Sequence, residues 1–555
     1  MGIFHDPIPL PKLAKLVPEL PEIVLKGIPS EDELKHYAPF TLSFENGFLP
    51  LSPPPTTLPP AFRVLDSLLK RAPMKTADGK EGLLAKFTFG RAVEDELPDL
   101  TDEIHKVKGD LRVITALYRD YCFLASAYLL EPCHQRFYEN DQEKRRLQQE
   151  EKARTTNEKG RKKKAENHVV EEKETKKERA KKFGTGEYGL ARSRLPANLA
   201  KPLVMVANIA GFKPFMEYAG SYALFNWRME QPSLGMDYDN LRLIRAFQEG
   251  LDPKSSEAGF ILTHIDMVKH SAQLVRGAVT ALEACNDKEG ERFRPGTETD
   301  EALSNKNIDA FCAQMATDAF RSALDDVVKA LAKVNDVMNK MWWKSKPSDY
   351  VYFRTFIFGI TSQDMFPNGV IYEGVSEEPM YFRGESGAND SMIPMCDNFF
   401  EIIMPKDLMT EIYADFRSYR PGNHLRFLEW VKHKTQEMGV NEFVMSDTRL
   451  AILYLHGINE VRNFRWRHWC FCKEYILKNT KHPTATGGSP IIDWLPNQLY
   501  GTFARMEEVA KVDGVAEDCE ELLGRVRDQR VQLMEEVARF KKAIDEAKER
   551  KEEAE

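Results

Sequence analysis

The stretch Asn463-Phe464-Arg465-Trp466-Arg467-His468-Trp469-Cys470-Phe471-Cys472-Lys473-Glu474-Tyr475-Ile476-Leu477 decides how this chain reads. It lies between Ser446-Asp447, a helix N-cap signal, and Lys481-His482-Pro483, a stop signal. Across that span apolar residues recur at Leu450, Leu453 and Tyr454, Ile458, Val461, Phe464, Phe471 and Cys472, and Tyr475, the spacing of a helix with one inward face. His468 falls in the stripe between Phe464 and Phe471, with Arg465 one turn before it. An imidazole set there is either a core histidine bonded to a neighbour or a ligand to something held in the core. Haem iron takes a single proximal histidine, and an arginine beside it can pair with a haem propionate. Zinc is a poor fit, because residues 468, 470 and 472 on one helix do not converge on a point.

Outward from this helix the same period recurs over 61–69, 100–130, 199–209, 214–229, 257–286, 307–342, 348–360, 391–403, 407–417 and 424–437, while strand signals are scarce. The expectation is an all-α, mostly helical protein. Four parts follow from composition: a small N-terminal domain over 1–138 with a proline-punctuated lead-in, a charged insert over 139–186, a large helical domain over 187–500, and a C-terminal amphipathic helix over 501–555. The insert is a solvated excursion, part helical at most; a docking arm or nuclear address around Arg161-Lys162-Lys163-Lys164 is the other reading. In the tail, Cys519, Leu522, Val526, Leu533, Val537, Phe540, Ile544 and Ala547 step by threes, fours and one seven. That stripe allows self-association through 519–547, docking on the body, or a lone solvated helix.

The net charge of −8 argues against nucleic acid as a partner. Eight cysteines without CxxC spacing suit a reducing compartment, and no apolar run is long enough to cross a bilayer, so a cytoplasmic protein with no membrane partner is expected.

Two more polar residues stand in apolar company. His264, in Gly259-Phe260-Ile261-Leu262-Thr263-His264-Ile265, is a second buried imidazole, bonded to a neighbour or facing a site. Arg354, in Tyr350-Val351-Tyr352-Phe353-Arg354-Thr355-Phe356-Ile357-Phe358, needs an anion from protein or ligand, since an unpaired guanidinium there costs on the order of several kcal/mol. The loops Gly384-Glu385-Ser386-Gly387-Ala388-Asn389-Asp390-Ser391 and Thr484-Ala485-Thr486-Gly487-Gly488-Ser489 follow no strand, which excludes a nucleotide loop. They permit close approach to a flat ligand, or a lid.

Taken in order, these residues resemble the indoleamine 2,3-dioxygenase family, and its fungal branch in particular, from about Tyr37 to Gln498 with the insert between. The run Phe464–His468 through Lys473–Leu477 is similar, without gaps, to the family helix whose histidine ligates haem iron. The resemblance implies His468 as the proximal ligand, Arg465 beside a propionate, Asp397 as its acidic partner, and Ser386 and Gly387 beside the haem edge. It implies a distal wall of Tyr218, Ser221 and Tyr222, an aromatic floor of Phe260 and Ile261, Arg354 on the substrate carboxylate, and Thr486 in a closing loop. Either Tyr350 or Val351 fills the family's phenylalanine place, and His264 stands where mammalian members carry serine.

The activity so implied uses haem b in its ferrous form and O2 as co-substrate. Both oxygen atoms enter across the indole C2–C3 bond of L-tryptophan to give N-formylkynurenine, the first step toward kynurenine and NAD. His264, Arg354 and Ser386 are the residues expected to serve the reaction. A low-turnover member acting as a haem- or tryptophan-responsive binding protein is the alternative, and a helical scaffold assembling through its tail is a third reading.

Overall fold

The structure is a computed structural model describing residues 20–156, 187–285, 302–405, 410–480, 482 and 484–552. The basic cluster Arg161-Lys162-Lys163-Lys164, and Lys481 and Pro483 of the helix stop, lie outside the described residues. The fold is all-α. Among the described residues strands are confined to three two-stranded pairings, such as Trp227–Met229 against Leu241–Leu243. A continuous buried cluster runs from Ile23 to Leu533. Among the described residues, no helix is long and apolar enough to cross a membrane.

The helix containing His468 begins where the sequence places it: Asp447 accepts the N–H of Leu450 at 2.9 Å and caps Thr448–Phe471. It then widens into a π-helical turn over Cys472–Leu477, of the kind that often marks a functional site. Two helices pack along it. Ala302–Asn339 meets one side, where Arg467 Nη1 and Nε donate to Asn335 and Asn339 at 2.5 Å each. Ile491–Val509 lies on another, joined by Arg465 Nη1 to Thr502 Oγ1 at 2.7 Å.

Several expected helices come out differently, among them those over 214–229, 257–286 and 348–360. Over 214–229 only one π-helical turn forms, Tyr218–Tyr222, followed by the strand Trp227–Met229. The stretch is buried on nearly every side, so its apolar residues carry no information about period; Glu217 fixes the turn by accepting the N–H groups of Ala219, at 2.8 Å, and Gly220. The expected helix over 257–286 is two, Ser256–Val268 and Ser271–Ala284, broken at Lys269-His270. The helix over Pro347–Arg354 stops at Arg354 and tightens into a 3₁₀ turn, Thr355–Ile357.

Elsewhere elements run on past their expected ends. The helix Leu111–Thr156 continues through Pro132 into the charged insert, and Ile491–Val509 passes through residue 500 despite Pro496. The tail helix Glu520–Glu552 lies on the body. Val526 and Leu533 are fully buried there, and Glu536 takes the Trp469 indole N–H at 2.7 Å and the Lys473 ammonium at 2.7 Å. Much of the stripe open to self-association is thus covered by the chain itself.

Candidate active site

Between the His468 helix, the helix Ser256–Val268 and the two small-residue loops lies a cavity offering about 250 Å³ to the centres of water molecules. That is room for on the order of twenty waters, or one large flat ligand. The loops meet over it: Thr486 Oγ1 donates to the Glu385 carbonyl at 2.6 Å, and Arg383 Nη1 to the Gly487 carbonyl at 3.0 Å. A side chain at Gly487 would press on Phe416 and on Ser386, with Cβ 2.9 and 3.0 Å from them, so the loops close tightly only with glycine there.

His468 is enclosed by protein yet keeps accessible area, because its ring opens into the cavity. Among the described residues nothing hydrogen-bonds that ring. Burial, helped by His264 and Arg465, holds its pKa down at about 4, so the imidazole is neutral and its lone pair is available. Beside it Arg465 donates to Asp397 at 2.6 Å and to Thr502, which leaves Arg465 Nε and Asp397 Oδ1 buried without partners among the described residues. Arg420 also lines the cavity, bonding among the described residues only the carbonyls of Ala388 and Asp390, at 2.9 and 3.3 Å. With the exposed Arg417, this rim carries three guanidinium groups.

Another part of the wall is aromatic: Tyr218, Phe260 and Tyr350 line it with His264. The His264 ring packs edge-on to Phe260 and Tyr218, at 4.9 and 5.9 Å between centroids. His264 Nδ1 lies 2.9 Å from the Phe260 carbonyl, which can only accept, so Nδ1 carries the proton and Nε2 is an acceptor. Burial lowers the pKa of His264 and keeps it neutral.

Of the expected residues, the cavity gathers His468, Arg465, Asp397, Ser386, Gly387, Thr486, Tyr218, Phe260 and His264. At the open choice between two residues it takes Tyr350; Val351 is not in its wall. It does not gather Ser221, Tyr222, Ile261 or Arg354. Ser221 is turned to its own backbone, donating to the Glu217 carbonyl at 2.7 Å. Tyr222 is buried one layer back, stacked with Phe123 and Phe247. Ile261, next to Phe260 on a helix, necessarily points elsewhere and is fully buried. Arg354 sits behind the wall, donating to the carbonyls of Thr484 at 2.6 Å and His482 at 3.5 Å and lying over the Phe358 ring. Its Nε and Nη1 are buried with no partner among the described residues.

The family model described as indoleamine 2,3-dioxygenase matches residues 36–514 of this sequence. The chain belongs to the indoleamine 2,3-dioxygenase family. Among its relatives, indoleamine 2,3-dioxygenase 1 of Mus musculus is 24% identical over 53% of this chain and 65% of its own length. Indoleamine 2,3-dioxygenase 2 of Homo sapiens is 25% identical over 53% of this chain and 64% of its own length. The fungal indoleamine 2,3-dioxygenase acdA of Aspergillus candidus is 23% identical, over 56% and 75%. The chain thus spans slightly under two thirds of the length of these two mammalian relatives. The family match extends to residue 514, beyond Gln498 where the motifs alone ended it.

Within this family member, sequence reasoning missed Glu385, Arg417, Arg420 and Trp494 as cavity residues. Glu385 carried a usable signal, a carboxylate flanked by small residues in a loop already singled out. The arginines carried none, since Arg417 and Arg420 lie at a helix end where the apolar period has stopped.

Proposed function

We propose that this chain is a haem-dependent dioxygenase that opens the indole ring of L-tryptophan with O2, giving N-formylkynurenine. The observation that carries the reading is His468: a neutral imidazole with no hydrogen bond to its ring, opening into a large cavity rimmed by three guanidinium groups. The donor set fits haem. His468 is the residue that would ligate the iron, and Arg465, with an orphaned Nε, and Arg420, paired with no carboxylate side chain, are suited to its propionates. When bound, ferrous haem supplies the activation of O2.

The chain's own residues bind and orient the substrate. Phe260, Tyr218 and Tyr350 form an aromatic surface for the indole and exclude water from it. His264 Nε2, an acceptor by virtue of the Nδ1 bond, is suited to take the indole N–H, serving orientation. Arg354, whose positive charge acts on Tyr350 and Cys472 of the wall, has an Nε and an Nη1 without a partner among the described residues, and a substrate carboxylate would supply the anion they lack. The loop carrying Thr486 lies over both and is placed to close on the amino acid.

The test is a haem-reconstituted, reduced sample supplied with L-tryptophan and O2. The reading requires a Soret band and N-formylkynurenine as product. A Soret band with no product would instead favour a haem- or tryptophan-responsive binding protein, and a colourless protein after reconstitution would remove both.

A further inference from the structure

Four glutamates are buried among the described residues, and they differ in one respect. Glu131 accepts from the backbone N–H groups of Phe89 and Gly90 and pairs with Arg192. Glu217 accepts from Ala219 and Gly220, and Glu257 from Phe247, Gln248 and Gly250. These three staple loops. Glu385 is 4% exposed, lines the cavity, and among the described residues its carboxyl has neither a hydrogen bond nor an ion pair. A buried carboxyl without a partner is destabilising to the fold. Its presence in the wall of a binding cavity calls for a ligand group that supplies the missing donor.

We propose that Glu385 is a specificity-determining residue that pairs with the amino group of the substrate, so that this pocket selects indoles bearing a cationic amine. The inference rests on the proposed function and deepens it. Tyr350 in the cavity wall is acted on by two groups of opposite sign, Glu385 in the same wall and Arg354 behind it. That is the arrangement a zwitterionic amino acid requires, carboxylate toward Arg354 and ammonium toward Glu385. Arg354 is not the counter-ion of Glu385 itself: burial and then Glu217 push the Glu385 carboxyl up to about 8, with no cation offsetting them. Glu385 is therefore protonated when alone and ionises as the ammonium arrives, the proton leaving to solvent. The neighbouring Ser386 hydroxyl, which accepts from Ala388 N at 3.2 Å, adds a second polar atom at the same place.

The experiment titrates the haem-loaded full chain with L-tryptophan, tryptamine, which keeps the amine and lacks the carboxylate, and indole-3-propionate, which keeps the carboxylate and lacks the amine. Dissociation constants are read from the visible spectrum. Glu385→Gln, which keeps the shape and removes the charge, should weaken L-tryptophan and tryptamine by about tenfold or more and leave indole-3-propionate within about twofold. Equal effects on all three ligands, or none on any, overturn the assignment. The wild-type chain provides a second reading should that variant not fold: tryptamine should bind about tenfold or more tighter than its amine-free analogue 3-ethylindole, and equal affinity overturns the proposal. A wild-type sample that binds haem and indole-3-propionate while failing these comparisons loses Glu385 alone. One without a Soret band, or with no response to any indole, loses the parent reading and this inference with it.

Discussion

At His264 the Nδ1 proton is committed to the Phe260 carbonyl, and what remains for the cavity is one acceptor nitrogen. An acceptor that orients an indole N–H contributes one hydrogen bond, so His264→Ser should keep the haem spectrum and raise KM only a few-fold. Loss of haem in that variant would show that His264 lies on the iron-binding side. Arg354 carries more, because its unpartnered N–H groups are fully desolvated. Arg354→Ala should lower kcat/KM for L-tryptophan by two orders of magnitude or more, and wild-type efficiency would remove the residue from the site. His468 was legible in the sequence because it falls in a helical stripe, and periodicity says which way a side chain points; Arg465, one turn before it, and Phe260, placed by resemblance, reach the cavity too. Ser221, Tyr222 and Ile261 were placed in the wall by resemblance, and local geometry turns each of them away. Glu385 carried a signal, an acid among small residues, but a loop has no period to reveal which way it points.

Among the elements, the tail helix shows what a stripe can and cannot say. Its spacing announced an apolar face, but not the partner; the structure supplies the His468 helix, through the Glu536 bonds to Trp469 and Lys473 and the burial of Leu533. Leu533→Ala should therefore destabilise the protein by about 2–5 kcal/mol, read from denaturant unfolding, and hasten haem loss. A variant as stable as wild type would mean that the tail is not docked in solution. The stretch 214–229 failed as a helix because burial on all sides erases the contrast that period-reading needs, and a buried acid, Glu217, organises the turn instead. The helix Ile491–Val509 straddles residue 500, where the sequence reading began the tail, because a change in composition does not mark where a helix ends. Pro496 is the sixth residue of that helix, beyond the N–H groups that lack a partner within it, so the helix continues across the proline at the cost of one backbone hydrogen bond.

For the molecule as a whole, mostly helical architecture was plain from periodicity, while its single continuous core joining N-terminal, central and tail segments depends on contacts between residues far apart in sequence. That core holds an unusual burden, His134, whose two ring nitrogens are buried against Phe356 without partners among the described residues. Burial lowers its pKa to about 4, below the unfolded value of 6.5. The unfolded chain therefore binds the proton first, so the stability His134 allows is complete above about pH 6.5 and drains as pH falls toward 4. His134→Phe should raise Tm relative to wild type by an amount that grows across that window; a constant difference would contradict the assignment of charge. The account as a whole turns on one imidazole holding one iron porphyrin, and the visible spectrum of the reconstituted protein beside its His468→Ala variant tests that most directly. The wild type should show a Soret band that shifts on adding L-tryptophan, and the variant should lose the band or the tight binding behind it. Identical spectra and equal haem retention in the two proteins would contradict the account.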